Sequence, residues 1–177
     1  MMNPANNRIV VLTGDGKGKT SSALGMALRA AGHGMKVAFV QFLKARADVG
    51  EVAALARFPE IDLVQTGCGF VPPASSPGFA RHRAAAEAGL ARVRERLASG
   101  GFDMVVLDEV CGAVSLGLLA ESAVLETLDQ ARPGVILVLT GRDATPGLMA
   151  RADTVSRIDA VKHAYETGWP AQAGVEF

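Results

Sequence analysis

The sequence predicts an α/β fold: one mostly parallel central sheet with helices on both faces. Three observations predict it. Short β-branched runs alternate with longer helical patterns, the order of a layered sheet with crossover helices. The runs are apolar at successive residues, as strands covered on both faces are. One run ends in a glycine- and lysine-rich turn that opens directly into helical sequence, VVLTGDGKGKTSSALGMALRA at positions 10–30.

The elements follow in order. Strands are expected at Arg8–Thr13, Lys36–Phe42, Asp62–Thr66, Met104–Asp108 and Val135–Thr140, with a weak sixth at Thr154–Ile158. A helix over Lys19–Ala31 stops at Gly32 and Gly34, residues that suit a helix end. A helix over Pro77–Ser99 places Ala86, Leu90, Val93 and Leu97 at 4-3-4 spacing, and most of its arginines fall off that stripe, as on a solvated face. Ser122–Ala131 is a shorter helix stopped by Arg132-Pro133-Gly134. Thr145 and Pro146 read as an N-cap and first helical residue.

Length favours one domain over residues 1–177, with residues 1–7 expected as a disordered tail. Lys plus Arg and Asp plus Glu both number 18, so no basic balance points to nucleic acid. No apolar run reaches the ~18–20 residues of a membrane span, and no signal peptide is expected. Cys68 and Cys111 form neither a metal spacing nor a disulfide framework, which predicts a reducing, cytoplasmic setting.

The turn carries the chemistry. A phosphate loop needs glycines that let N–H groups turn inward, a lysine that neutralises phosphate, and a helix N-terminus that presents unpaired N–H groups. Gly14, Asp15, Gly16, Lys17, Gly18, Lys19 and Thr20, followed by Ser21, supply all three. The Thr20 hydroxyl is placed to ligate Mg²⁺. The spacing is one residue shorter than G-x-x-x-x-G-K-[ST], with Thr13 where the first glycine would stand. The second half of such a site is a carboxylate at the tip of a buried strand. MVVLDE ends in Asp108 and Glu109, and Mg²⁺ (or Mn²⁺) at Thr20 is their natural partner. Together these features predict a P-loop NTPase-like, RecA-like domain with an Mg²⁺–nucleoside triphosphate site.

Four further stretches narrow the reading: ALRAAGHGMKVAFVQFLK (27–44), TGCGF (66–70), VLTGRDATPGLMARADTVSRI (138–158) and VKHAYETGWPAQAGVEF (161–177). With GDGKGKTS and VVLDE they resemble the ATP:corrinoid adenosyltransferases of the CobA/CobO/BtuR type, from about Arg8 to Phe177. The resemblance implies transfer of the 5′-deoxyadenosyl group of ATP to cobalt(I) of a reduced corrinoid, with triphosphate leaving whole from a reversed position in the loop. It implies that Lys17, Lys19 and a metal on Thr20 and Glu109 stabilise the leaving group, and that Asp108 orients the metal. Lys19, Thr20 and Glu109 are the catalytic candidates. Arg29 and Arg142 match arginines near the nucleotide. Phe70 matches an aromatic under the corrin, where the family's tryptophan position is Pro72. A homodimer and a flavoprotein reductant are also implied. A nucleotide- and corrinoid-binding protein with little catalysis, or a generic P-loop ATPase or kinase, are the alternatives.

Overall fold

The structure, a computed structural model, describes residues 6–46 and 48–177. Six parallel strands form one sheet: β1 (Arg8–Thr13), β2 (Val37–Gln41), β3 (Ile61–Gln65), β4 (Met104–Asp108), β5 (Ile136–Thr140) and β6 (Thr154–Arg157), in the order β3-β2-β4-β5-β1-β6. The helices are α1 (Lys19–Gly32), α2 (Gly50–Leu55), α3 (Phe79–Ala98), α4 (Val110–Ser115), α5 (Glu121–Leu128) and α6 (Pro146–Arg151), followed by a 3₁₀ turn at Ala164–Thr167.

The period of two along each strand divides the core. Val105 and Leu107 of β4 face the α3–α6 side with Leu90, Val93 and Leu128, whereas Met104 and Val106 face α1. On that second side Ala23, Ala27 and Ala30 are buried, and their small side chains bring α1 close to the sheet.

Four features differ from the sequence reading. Helices α2 and α4 and the 3₁₀ turn were not expected; each has only four to six residues. In α4 five residues are buried, Val110 through Val114, so no amphipathic stripe marks it. Two α3 arginines leave the solvated face: Arg94 donates to Thr127 Oγ1 at 3.0 Å, and Arg96 pairs with Asp62 at 2.6 Å. Thr145 does stand at the N-cap of α6, but its side chain makes no capping bond and donates instead to the Glu121 carboxylate. Of the tail expected at 1–7, residues 1–5 lie outside the described residues. Asn7 is tied to the fold, its amide donating to Ala131 O at 3.1 Å and its Oδ1 accepting from Val135 N at 3.2 Å.

Because β5 lies between β1 and β4, the loop after β1 and the acidic tip of β4 flank the end of β5. That geometry builds the site.

Candidate nucleotide and corrinoid site

The apolar strands β1, β2, β4 and β5 each end in one buried polar residue: Thr13, Gln41, Asp108 and Thr140. They form a polar row at the carboxyl edge of the sheet, where ligands of open α/β folds bind. Asp108 is its centre and is fully buried. Its carboxylate accepts from Thr140 Oγ1 at 2.7 Å, Thr20 Oγ1 at 2.9 Å and Gln41 Nε2 at 3.0 Å. A buried carboxylate with three donors is satisfied, so Asp108 fixes Thr20 from below. The sequence reading missed Gln41 and Thr140. The signal was there: a single polar residue closing an apolar strand.

Glu109 turns the chain from β4 into α4. Its φ of 65° is in the left-handed region, which costs free energy for a residue with a side chain. Its backbone N–H donates to Thr140 Oγ1 at 2.9 Å and holds the turn. The carboxyl borders the space above the loop, with one oxygen against Gly112 of α4. Burial, and after it the neighbouring Asp108 charge, raises the Glu109 pKa above the usual carboxylate value.

The loop itself packs against the chain leaving β6. A Cβ on Gly14 would stand 2.5 Å from Ile158 O, and one on Gly16 2.6 Å from Asp159 O; Gly16 N donates to Ile158 O at 2.7 Å. Gly18, at φ 127°, turns the chain into α1. The Lys19 ammonium donates to Gly14 O at 2.6 Å and Gly16 O at 2.8 Å, spanning the loop from inside. Burial lowers its pKa, an effect opposed by the charge of Glu109.

Above the loop lies a cavity of about 470 Å³, lined by Asp15 to Ser21, Lys44, Glu51, Glu109, Arg142 and residues 174–177. The structure therefore brings together every loop candidate except Gly14, which lies beneath at the Lys19 ammonium, with Glu109 and Arg142. Arg142 reaches Asp15 at 3.9 Å, and Lys17 reaches Glu176 at 4.0 Å. Arg29 is not brought in. It is exposed in the last turn of α1, ten residues beyond Lys19, about 15 Å along the axis.

A second, more apolar recess of about 610 Å³ adjoins the first, with Leu43, Val49, Phe70, Val71, Leu116 and Phe177 in its wall. Phe70 is 95% exposed at its rim. Pro72 is not in that wall; it lies toward Gly78. Lys44, Glu51, Glu109, Glu176 and Phe177 line both spaces. Cys111 is a packing residue, its thiol pushed up to about 12 by burial. Trp169 stands 65% exposed in the C-terminal segment.

Among the described residues, no group of three or more His, Cys, Asp or Glu could hold a metal ion alone. No helix among them is long and apolar enough to cross a membrane.

Comparison with known proteins meets this geometry from the other side. The flagellar accessory protein FlaH of Methanocaldococcus jannaschii superposes with a TM-score of 0.52 over 86% of this chain and 70% of its own, at 12% identity, a likeness of fold alone. A corrinoid adenosyltransferase of Pseudomonas aeruginosa is 45% identical over 171 residues, 96% of this chain and 83% of that protein. The corrinoid adenosyltransferase CobA of Salmonella typhimurium is 37% identical, over 96% of this chain and 85% of that protein. The family model of the ATP:corrinoid adenosyltransferase BtuR/CobO/CobP matches residues 5–177. The chain, matched along almost its whole length, thus belongs to the ATP:corrinoid adenosyltransferase family.

Proposed function

We infer that the loop cavity holds the triphosphate of ATP, that the apolar recess takes the corrin, and that the 5′-carbon is presented where the two meet. One observation carries this reading: the polar cavity and the apolar recess share the wall at Glu109 and Lys44. Family membership makes the reaction adenosyl transfer from ATP to a corrinoid. The cobalt(I) of the substrate supplies an electron pair to C5′. A cobalt–carbon bond forms, the C5′–O bond breaks, and its electron pair leaves on triphosphate.

Cobalt(I) is itself a strong nucleophile, so the chain needs no activated Ser, Cys or His. Its tasks are alignment of C5′ with cobalt and stabilisation of the leaving group. Lys17, Lys19, Arg142 and the N–H groups at the start of α1 serve the second task.

A hard divalent ion fits the donors present. Thr20 Oγ1 and the Glu109 carboxyl are oxygen ligands on the border of the phosphate space, and Glu109 has a raised pKa that a cation would relieve. Mg²⁺ (or Mn²⁺) would be held by Thr20 and Glu109, with Asp108 fixing Thr20 from below. Such an ion supplies charge neutralisation of the phosphates. Phe70 would cover one corrin face. A homodimer and a flavoprotein electron donor accompany this reading by family resemblance, as does a cytoplasmic setting, which the free thiols of Cys68 and Cys111 suit.

The test is direct. The protein is mixed with Mg-ATP and chemically reduced cobalamin, and adenosylcobalamin is followed by its spectrum and photolability. Equimolar adenosylcobalamin and triphosphate are expected. Release of orthophosphate without a cobalt–carbon bond would sink the reading in favour of an ordinary ATPase.

A further inference from the structure

The wall shared by the two spaces carries three carboxylates, Glu51, Glu109 and Glu176, and one cation. That cation is Lys44. Among the described residues, Lys17, Lys19 and Arg142 line only the nucleotide side of the pair, and Arg46 only the apolar recess. The Lys44 ammonium donates to Glu51 Oε1 at 2.8 Å and stands 3.9 Å from Asp108 Oδ2. It keeps 31% side-chain exposure, whereas Glu51 keeps 10%. Glu51 therefore anchors a lysine whose tip still faces the cavity.

The charge balance of the reaction gives this position a task. In ATP the 5′-oxygen is an uncharged ester bridge. Once C5′–O breaks, that oxygen becomes an anionic terminus of triphosphate. The new charge develops where C5′ meets cobalt, at the shared wall, where the carboxylates oppose it. Lys19 lies deeper, its ammonium bound inside the loop to Gly14 O and Gly16 O, whereas Lys17 reaches outward to Glu176 at 4.0 Å.

We propose that Lys44 is a further catalytic residue of adenosyl transfer, its ammonium taking up the charge that develops on the departing 5′-oxygen. This rests on the reading of the two spaces given above. A donor that meets charge only as it develops lowers the barrier without tightening the ground state. Lys44 should therefore distinguish triphosphate, which carries the new charge, from ATP, which does not.

The experiment compares the wild type with Lys44→Met by calorimetry, using tripolyphosphate and ATP separately in Mg²⁺ buffer without corrinoid, and by steady-state rates with cobalt(I) cobalamin. Lys44→Met is expected to weaken tripolyphosphate about 10-fold or more and ATP by less than about threefold, and to lower kcat about 100-fold with little change in the KM for ATP. Lys44→Arg should restore part of both losses. Equal weakening of the two ligands, or no change in either kcat or tripolyphosphate affinity, would overturn the proposal. If the methionine variant melts early, Lys44→Gln carries the same comparison. Lys19→Ala is the control for the underlying reading. If it binds tripolyphosphate like the wild type, the loop assignment fails; if Lys44→Met alone is silent, only the role of Lys44 fails.

Discussion

The two halves of the site are built by different physics. On the nucleotide side the groups are buried and already paired: Asp108 has three donors, Lys19 bridges two loop carbonyls, and Thr140 holds the Glu109 turn. On the corrinoid side the principal aromatic, Phe70, is 95% exposed and lies at the rim of an open recess. The first half is assembled by folding itself. The second consists of apolar surface that folding leaves partly uncovered. Mutations on the nucleotide side should therefore trade stability against activity, whereas mutations on the corrinoid side should change affinity and leave stability alone.

The largest expected effect tests the first half. Lys19→Ala removes a buried charge-assisted contact, worth ~1.5–3 kcal/mol or more when phosphate is left unpaired. Affinity for Mg-ATP should fall by about 10- to 100-fold or beyond, and unchanged calorimetric affinity would break the assignment. Next comes Glu109→Gln, which should lower turnover and flatten the Mg²⁺ titration of activity. Its effect on stability should have the opposite sign. The folded-state pKa of Glu109 is raised, so its contribution to stability is intact below the unfolded-state value and is lost as pH rises through the folded one. The ligand-free variant should thus melt higher than the wild type at neutral pH. The gain should vanish under acid conditions. A pH-independent difference would show that the ionised carboxylate is not the cause.

Smaller effects sharpen the other half. Phe70→Ala should leave the melting temperature and ATP affinity unchanged, since so exposed a ring contributes little to the fold. It should weaken corrinoid binding about 10-fold, in line with the loss of an aromatic contact worth ~1.5 kcal/mol. A marked loss of stability would contradict the exposed placement. Pro72→Trp should do least. Pro72 lies toward Gly78 rather than in the recess wall, so cobalt(I)- and cobalt(II)-dependent rates should change together, by less than about threefold. A selective gain in the cobalt(II) rate would bring position 72 under the corrin after all.

Much of this was legible in the chain, for stated reasons. Arg8–Thr13 and Met104–Asp108 match the sequence reading to the residue because each apolar run ends at a polar residue with a structural task. The loop and the two acids could be grouped from the sequence because phosphate chemistry calls for those residue types in that local order, and Arg142 only through the family resemblance; the structure places the loop, Glu109 and Arg142 around one cavity. Arg29 matched by position in the sequence, but helix α1 carries it away from the cavity. The Lys44–Glu51 pair was not readable. Seven residues separate the two, α2 had not been recognised, and the wall they form exists only once the C-terminal segment closes it. Arg94 and Arg96 were misjudged because helical spacing reports which residues leave the core, not which of them then find partners in α5 and β3.

That C-terminal closure has a consequence for how the protein is made. Residues 174–177 line the cavity over a loop translated about 160 residues earlier, and Glu176 stands 4.0 Å from Lys17. A chain translated as far as β6 has every loop glycine and lysine, and yet lacks one wall of the cavity. At ~5–20 residues per second, the interval between translating the loop and translating its cover is about 8–30 s. During that time the nascent chain carries the glycine-rich loop without the wall that residues 174–177 supply.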